Sequence, residues 1–305
     1  MPFLAIGGLA FFLWGVQLLS RDLERNLGKR VKNWLHSITS TPIKGFITGV
    51  VTTLLLQSSS LTTVTLVGMV NARVFSLAQA IAVIIGANVG TTITGQLLSF
   101  ELHRFSLPLF TLGFLLSFLP FRKLKEAGTI IRSFAVLLVG FNFMVDGVAP
   151  LQEGSWEMLL KFQDSIVVMM GAGFAWSSVL QSSSAMMGMA MAMLERSIVG
   201  LDAAVALTVG ADVGTCITAI IASFKTSLAA RKTAVAHFMF NLISAVLLII
   251  FWNLFIAIAQ STSPEITRQL ANSHSLYNLL GAAIFLPLVP LWVNILNALF
   301  DKKYK

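Results

Sequence analysis

The sequence Gln-Ser-Ser-Ser occurs twice in this chain, each time inside a strongly hydrophobic stretch. The first copy is Gln57–Ser60 and the second is Gln181–Ser184. The apolar segments around them are short, namely 45–57, 61–72, 166–180 and 185–194. A helix of about 13 residues is ~20 Å long, which is less than the ~30 Å hydrocarbon core of a bilayer. We therefore predict two re-entrant helical hairpins, 45–72 and 166–194, each with QSSS at its tip.

A membrane location also follows from the composition. Hydrophobic residues make up 56% of the 305 residues and charged residues only 11%, whereas soluble domains carry about 25% charged residues. Apolar segments of roughly spanning length, about 20 residues, lie at 3–20, 77–100, 105–121, 133–149, 200–223, 233–258 and 274–299. We predict an all-α integral membrane protein with about seven transmembrane helices plus the two hairpins. Residues 21–37 are predicted to form an interfacial amphipathic helix.

The basic residues predict the orientation of the chain. If each hairpin returns to the side from which it came, 17 of the 21 Lys and Arg residues fall on one side, in 21–44, 73–76, 122–132, 225–232 and 301–305. The basic side is expected to be cytoplasmic, which places the N-terminus outside and the C-terminus inside the cell (inner) membrane. The net charge of +8 is then explained by orientation and contact with the lipid bilayer, and no nucleic-acid partner is predicted.

The two QSSS segments belong to a longer internal repeat. With a constant offset of 124 and no gap, 49–100 aligns with 173–224 with 19 identities in 52 positions. The repeat includes GANVGTTIT (86–94) and GADVGTCIT (210–218). Three predicted spans separate the hairpins, and an odd number inverts the second copy. We predict one transmembrane transport domain over 1–305, with inverted repeats at about 43–149 and about 165–300. This is a design of secondary transporters.

The chemistry of the tips suits an anion. Each QSSS supplies hydroxyls, a carboxamide and the free N–H groups that begin the second half-helix, where the helix dipole is positive. Two facing tips could surround a tetrahedral oxyanion with neutral donors, which permit release. The alternative is that these residues only join helices by hydrogen bonds. The predicted substrate-binding residues are Gln57, Ser58, Ser59, Ser60, Gln181, Ser182, Ser183 and Ser184.

The glycine motifs are candidates for a cation site. Paired glycines beside hydroxyls predict an unwound break in each helix, whose carbonyls could coordinate Na⁺. The alternative is a small-residue interface for close helix packing. Asp212 is the acidic residue that we place deep in the membrane, as a cation ligand or, alternatively, a proton carrier. The predicted sodium ligands are Thr53, Asn88, Thr91, Thr92, Ser177, Asp212 and Thr215. His237/Asn241 and His274/Asn278, each an HxxxN pair, are predicted to make interhelical hydrogen bonds or to anchor helix ends. The alternative is a functional role for histidines that titrate near neutral pH.

These motifs resemble those of the type II sodium-dependent phosphate cotransporter family. GLAFFLWGVQLLSRDL near the N-terminus and ARKTAVAHFMFNL (230–242) are similar to that family too. The resemblance implies Na⁺-driven uptake of inorganic phosphate, with both QSSS tips at the substrate site, sodium as the coupling ion and no organic cofactor. The second copy departs from the family pattern at Met186, Met187, Asp212 and Cys216. Lost hydroxyls would weaken one sodium site, and Asp212 could strengthen another.

Two rival functions are weighed beside this one. The first is a proton-coupled or uncoupled transporter or channel for phosphate or another oxyanion. The second is an intramembrane hydrolase, which we do not favour because no serine lies with a histidine or lysine at matching depth, and Asp146 lies too near the outer interface to pair with Asp212. We expect no enzyme activity and no soluble C-terminal regulatory domain. A homodimer is left open, as is the choice between elevator and rocking motion.

Overall fold

The computed structural model describes residues 2–37, 41–148 and 161–301, and within these ranges no β-strand occurs. A short 3-10 helix covers Leu102–Phe105. The α-helices are α1 (Pro2–Ser37), α2 (Pro42–Leu56), α3 (Ser59–Asn71), α4 (Leu77–Leu98), α5 (Ser106–Ser117), α6 (Arg122–Val148), α7 (Ile166–Leu180), α8 (Ser183–Glu195), α9 (Leu201–Ser223), α10 (Leu228–Ile250), α11 (Trp252–Ser261), α12 (Ile266–Phe285) and α13 (Val289–Asp301). The predicted all-α class is confirmed.

Five helices in the described part of the chain are long and apolar enough to cross a membrane, namely Leu4–Asn26 within α1, and α4, α6, α9 and α10. A sixth span results if α12 and α13, which are bent by 77°, count as one. Pro287 lies between them and explains the bend, because proline cannot donate a helical hydrogen bond. With the bent pair counted as one span, the total of six is one below the seven spans predicted, since 105–121 contains only the 12-residue α5.

The first helix is longer than predicted. Residues 2–37 form one continuous helix, so the helix predicted at 21–37 is present as the continuation of the span predicted at 3–20, and its interfacial position stays a prediction. The surroundings of the side chains beyond Asn26 lie outside the described residues. α1 packs antiparallel on α6, where a Cβ atom at Gly15 would overlap the backbone of Leu137 and one at Gly140 the backbone of Phe12. Glycines allow this close contact between the two helices.

The duplicated sequence has a duplicated helix packing. α2 lies along α4, and α7 lies along α9. A Cβ atom at Gly49 would overlap the carbonyl oxygen of Val83, and one at Gly173 would overlap that of Leu207. Gly173 and Leu207 are the repeat equivalents of Gly49 and Val83, because each lies 124 positions later in the sequence. Each repeat therefore forms the same close helix pair, while the inverted orientation of the repeats stays a prediction. The first repeat's predicted boundary at 149 lies outside the described residues.

The predicted unwound breaks at the glycine motifs are wrong. α4 and α9 continue without interruption through GANVGTT and GADVGTC. Gly86 and Gly210 instead face the partner helix, because a Cβ atom there would overlap the carbonyl oxygens of Phe46 and Met170. The alternative interpretation, a small-residue interface, is the one observed. As a result, the backbone carbonyls of these motifs are engaged within the helices.

Candidate functional site

The two QSSS tips have the same backbone conformation. Gln57 ends α2 in the left-handed region, with φ 50° and ψ 26°, and Ser58 is extended with φ −154°. Gln181 and Ser182 repeat this pattern, with φ 55° and φ −147°. The interruption of the helix is therefore only two residues long in each copy. The last two serines of each QSSS already lie in the first turn of the following helix.

The second residue of each tip caps the helix that follows. The Ser58 hydroxyl accepts a hydrogen bond from the N–H of Leu61 at 3.1 Å, and the Ser182 hydroxyl accepts one from Ala185 at 3.1 Å. Serine is among the preferred N-cap residues for this reason. Both α3 and α8 thus begin at a tip, so the free N–H groups and the positive dipole end of each helix are located there.

The chain reverses direction at the first tip. The hydroxyls of Thr53 in α2 and Thr62 in α3 are hydrogen-bonded at 3.1 Å. At the second tip the corresponding residues are Ser177 and Met186. The buried Ser177 hydroxyl has no hydrogen-bond partner among the described residues. The departure at Met186 noted in the sequence therefore removes one specific contact between the two half-helices.

Both tips line one cavity of about 390 Å³. Its walls include all eight predicted substrate-binding residues, Gln57, Ser58, Ser59, Ser60, Gln181, Ser182, Ser183 and Ser184. Ser60 donates a hydrogen bond from its hydroxyl to the carbonyl oxygen of Gln181 at 3.4 Å, which connects the two tips directly. Hydroxyls, a carboxamide and two helix N-termini from both repeats therefore converge on a single space large enough for an oxyanion with several waters.

The glutamine of the first tip is held in place by α4. Its Nε2 donates to the carbonyl oxygen of Leu54 at 2.6 Å, and its Oε1 accepts from the Thr94 hydroxyl at 2.9 Å. Thr94 is the last threonine of GANVGTTIT, and the sequence analysis did not single it out. The equivalent Thr218 has a buried hydroxyl without a partner among the described residues. The two tips are thus alike in backbone and different in side-chain contacts.

A third wall of the cavity comes from α1 and was not predicted. The lining residues of α1 are Leu13, Val16, Gln17, Ser20, Arg21 and Glu24. Their spacing of three to four residues places them on one face of the helix. Ser20 donates from its hydroxyl to the carbonyl oxygen of Leu56 at 2.9 Å, at the end of α2. The polar residues within this periodic face are the sequence signal that could have identified it.

The predicted sodium ligands do not line this cavity. Thr53, Asn88, Thr91, Thr92, Ser177, Asp212 and Thr215 are all buried, and they lie on α2, α4, α7 and α9. The Thr91 hydroxyl donates to the carbonyl oxygen of Ala87 at 3.1 Å, and the Thr92 hydroxyl donates to that of Val89 at 2.8 Å. Asn88 and Thr215 likewise donate to carbonyls of their own helices. The structure therefore places these residues within the helices that carry and support the tips rather than at the tips themselves.

Asp212 is the centre of a buried polar cluster that joins α9 to α12. One oxygen of its carboxylate, Oδ2, lies 2.9 Å from His274 Nε2 and accepts a hydrogen bond from Asn278 Nδ2 at 3.1 Å. His274 and Asn278 thus make the interhelical contacts predicted for an HxxxN pair. Asn241 of the other pair donates to Cys216 at 3.3 Å, whereas the ring of His237 has no hydrogen-bond partner among the described residues. No group of three or more His, Cys, Asp or Glu side chains within the described ranges could hold a metal ion.

Comparison with known proteins identifies relatives over the whole of this architecture. A protein of Bacillus subtilis named "Uncharacterized protein YqeW" is 30% identical over 299 residues, covering 97% of this chain and 97% of its own length. "Putative inorganic phosphate export protein YjbB" of Escherichia coli is 24% identical over 290 residues. That match covers 93% of this chain, which spans about half (53%) of YjbB. Human "Sodium-dependent phosphate transport protein 2B" is 37% identical over 98 residues, 32% of this chain and 14% of that protein. No solved structure matches.

The family model matches the two repeats of this chain separately. The sequence model described as "Na+/Pi-cotransporter" matches the chain twice, over residues 11–146 and 136–272. The two matches begin 125 residues apart (136 − 11), close to the repeat offset of 124. Together they cover most of the chain, including both QSSS tips and both glycine motifs. On this evidence the chain belongs to the Na⁺/Pi-cotransporter family.

Proposed function

We propose that this protein is a secondary active transporter that couples the entry of Na⁺ to the uptake of inorganic phosphate, with phosphate bound between the two QSSS tips. The observation that carries the proposal is the convergence of both tips on one cavity, with a hydrogen bond between Ser60 and Gln181 connecting them. Family membership supports phosphate and sodium as the transported ions. In this proposal the N-terminus lies outside the cell membrane and the basic C-terminal side of α1 inside.

The chemistry of the tips is suited to binding phosphate reversibly. Phosphate oxygens accept hydrogen bonds from serine hydroxyls and from the N–H groups at the start of α3 and α8, where the helix dipoles are favourable to an anion. These donors are neutral, so the anion gains many hydrogen bonds without a fixed positive charge from the tips. Such a site can release its ligand once the cavity opens to water.

For sodium, the proposed ligands are the buried oxygens of Thr53, Asn88, Thr91, Thr92, Ser177, Asp212 and Thr215. A hydroxyl that donates to a helical carbonyl still has lone pairs with which to accept a cation. Because these residues lie on the helices that carry and support the tips, bound Na⁺ would stabilise the conformation that binds phosphate. Movement of the hairpins against the remaining helices would then expose the site alternately to each side.

The test is phosphate uptake into liposomes that contain the purified protein. We expect concentrative uptake with a Na⁺ gradient and none with K⁺, Li⁺ or proton gradients. Ser59→Ala and Ser183→Ala should each raise the phosphate concentration for half-maximal uptake about tenfold, because each removes a hydrogen bond to a charged ligand. Ser261→Ala is the control, since Ser261 lies in α11 outside the cavity and its hydroxyl donates to the carbonyl oxygen of Ile258 in its own helix. If both tip variants match the control, the tips do not form the site.

Phosphate export is a second candidate. It is favoured by the printed name of YjbB and by the position of the cavity on the face of α1 that includes Arg21 and Glu24, in the basic half predicted to face the cytoplasm. Liposomes loaded with phosphate distinguish the two directions. Release driven by an opposing ion gradient, without concentrative uptake under any gradient, would replace uptake by export.

A further inference from the structure

Two charged side chains contribute to the cavity between the tips, and both come from α1. Arg21 and Glu24 are exposed and line the same cavity as the eight tip residues. No other described residue that lines this cavity is charged. The tips offer only neutral donors, so these two side chains determine the fixed charge that an anion meets as it enters.

The location of Arg21 relative to the first tip follows from its neighbour. The Ser20 hydroxyl donates to the carbonyl oxygen of Leu56 at 2.9 Å, and Leu56 directly precedes Gln57. The turn of α1 that contains Arg21 is therefore fixed beside the tip. A guanidinium group on a long side chain can reach an anion bound there, and its planar array of donors matches phosphate oxygens in pairs.

Glu24 lies three residues after Arg21, so the two side chains are neighbours on the surface of α1. Its negative charge repels an anion in the cavity and attracts the guanidinium of Arg21. Arg21 therefore attracts phosphate, whereas Glu24 repels it. A cavity with Arg21 alone would hold phosphate more strongly, and one with Glu24 alone would repel it.

A neighbouring face of α1 has charged residues in a different environment. Asp22, Arg25 and Asn26 line a separate space with Arg122, Lys125 and Glu126 of α6. On that face Asp22 accepts a hydrogen bond from Ser133, and Asn26 donates to Thr129 at 3.5 Å. Arg25 thus has the same charge as Arg21 and lies one turn further along the same helix, but it lines this second space and not the tip cavity.

We propose that Arg21 is the positively charged phosphate-binding residue of the tip cavity and that Glu24 opposes it, so that the pair determines the affinity for the doubly charged oxyanion. The inference rests on the proposed function, because it assumes that phosphate binds between the tips. It adds a residue from outside both QSSS segments and outside the repeated region 49–100/173–224. It also explains how a site built from neutral donors attracts a dianion.

The experiment is isothermal titration of the purified full-length protein with inorganic phosphate at constant Na⁺. Arg21→Gln should raise the Kd about tenfold, the scale of one lost charge-assisted contact. Arg21→Lys, which keeps the charge and loses the paired donors, should raise the Kd by a smaller factor. Glu24→Gln should lower it by about threefold. The matched control Arg25→Gln removes the same charge from a residue that lines the other space and should raise the Kd much less than Arg21→Gln does.

Added potassium chloride provides a second measurement. Salt screens the charge of Arg21, so the wild-type Kd should rise with potassium chloride more steeply than that of Arg21→Gln.

An unchanged Kd in both Arg21→Gln and Glu24→Gln, together with weakened binding in Ser59→Ala, would overturn this inference and leave the tip site intact. No phosphate binding by the wild-type protein would overturn the proposed function and this inference with it. If Arg21→Gln does not fold, Glu24→Gln still tests the proposal. A lower Kd than that of the wild type is expected for it, and an unchanged Kd contradicts the proposal.

Discussion

At the residue scale, Asp212 and Asn88 occupy the same position in the two glycine motifs but have different partners. The Asn88 side chain donates to the carbonyl oxygen of Ile84 in its own helix at 3.1 Å. The Asp212 carboxylate instead lies 2.9 Å from His274 Nε2 and accepts a hydrogen bond from Asn278, and both residues belong to α12. A buried carboxylate in a membrane protein is costly unless such partners are present. The equivalent positions therefore differ: Asn88 bonds within its own helix, whereas the carboxyl group of Asp212 joins α9 to α12 in the second repeat only.

Replacing Asp212 by Asn tests whether this charge serves cation coupling. Asn keeps the shape and removes the charge, so the Na⁺ concentration for half-maximal phosphate uptake should rise by about tenfold or more. Asp146→Asn is the matched control, because Asp146 pairs with Arg196 at an exposed helix end and exposed ion pairs contribute little. Uptake assays over a range of Na⁺ concentrations measure both variants. A wild-type Na⁺ dependence in Asp212→Asn would exclude this residue as a sodium ligand.

Part of the site could be predicted from single residues and part could not. The QSSS residues and Asp212 are polar positions within apolar sequence, which is unusual enough to be recognised without a structure. Arg21 and Thr94 are ordinary residues in their local sequences, and for His274 the sequence predicted an interhelical hydrogen bond but not its partner Asp212. Their roles depend on which helices become neighbours, and that information is not contained in the sequence around them.

At the element scale, glycine positions explain both the repeated packing and the wrong prediction of unwound helices. Glycines beside hydroxyl residues are expected at helix breaks and at close helix contacts alike, because both require a small residue. The sequence pattern alone cannot separate these cases. The contacts of Gly86 with Phe46 and of Gly210 with Met170 show that here the helices remain intact and touch. By contrast, the hairpin interruptions were predictable, since two apolar segments of insufficient length met at polar residues.

Gly173→Ala should destabilise the packing of α7 on α9. Its Cβ atom would overlap the carbonyl oxygen of Leu207 in α9, and such overpacking costs about 1–3 kcal/mol. Gly171→Ala, two positions earlier in α7, places its Cβ atom in open space and should be neutral or stabilising by up to about 1 kcal/mol from helix propensity. Gly49→Ala should repeat the effect of Gly173→Ala in the first repeat. Unfolding of the purified protein in mixed micelles with increasing denaturant compares the three. Equal stability of the Gly171 and Gly173 variants would mean that the helix contact is looser than described.

At the scale of the whole molecule, the cavity joins three parts of the chain that are far apart in sequence. Each repeat contributes one tip, and α1, which precedes both, closes one side. α1 is in turn held by α6 through their glycine contacts. The tips therefore belong to the duplicated units, while the charged wall belongs to the helix pair outside the hairpins. Relative movement of these two groups would change the distance between Arg21 and the serines.

The orientation of this assembly in the membrane can be tested with cysteines at the tips. The cavity includes Arg21 and Glu24 in the half of α1 predicted to face the cytoplasm. In Na⁺-free buffer, a charged, membrane-impermeant thiol reagent should label Ser58→Cys and Ser182→Cys in inside-out vesicles and not in right-side-out vesicles. The wild-type protein is the control, because its single cysteine, Cys216, is fully buried and should remain unlabelled. Phosphate with Na⁺ should protect both positions if they line the substrate site. Labelling of both positions only from the outside would contradict the predicted orientation, and labelling of the two tips from opposite sides would contradict a shared cavity.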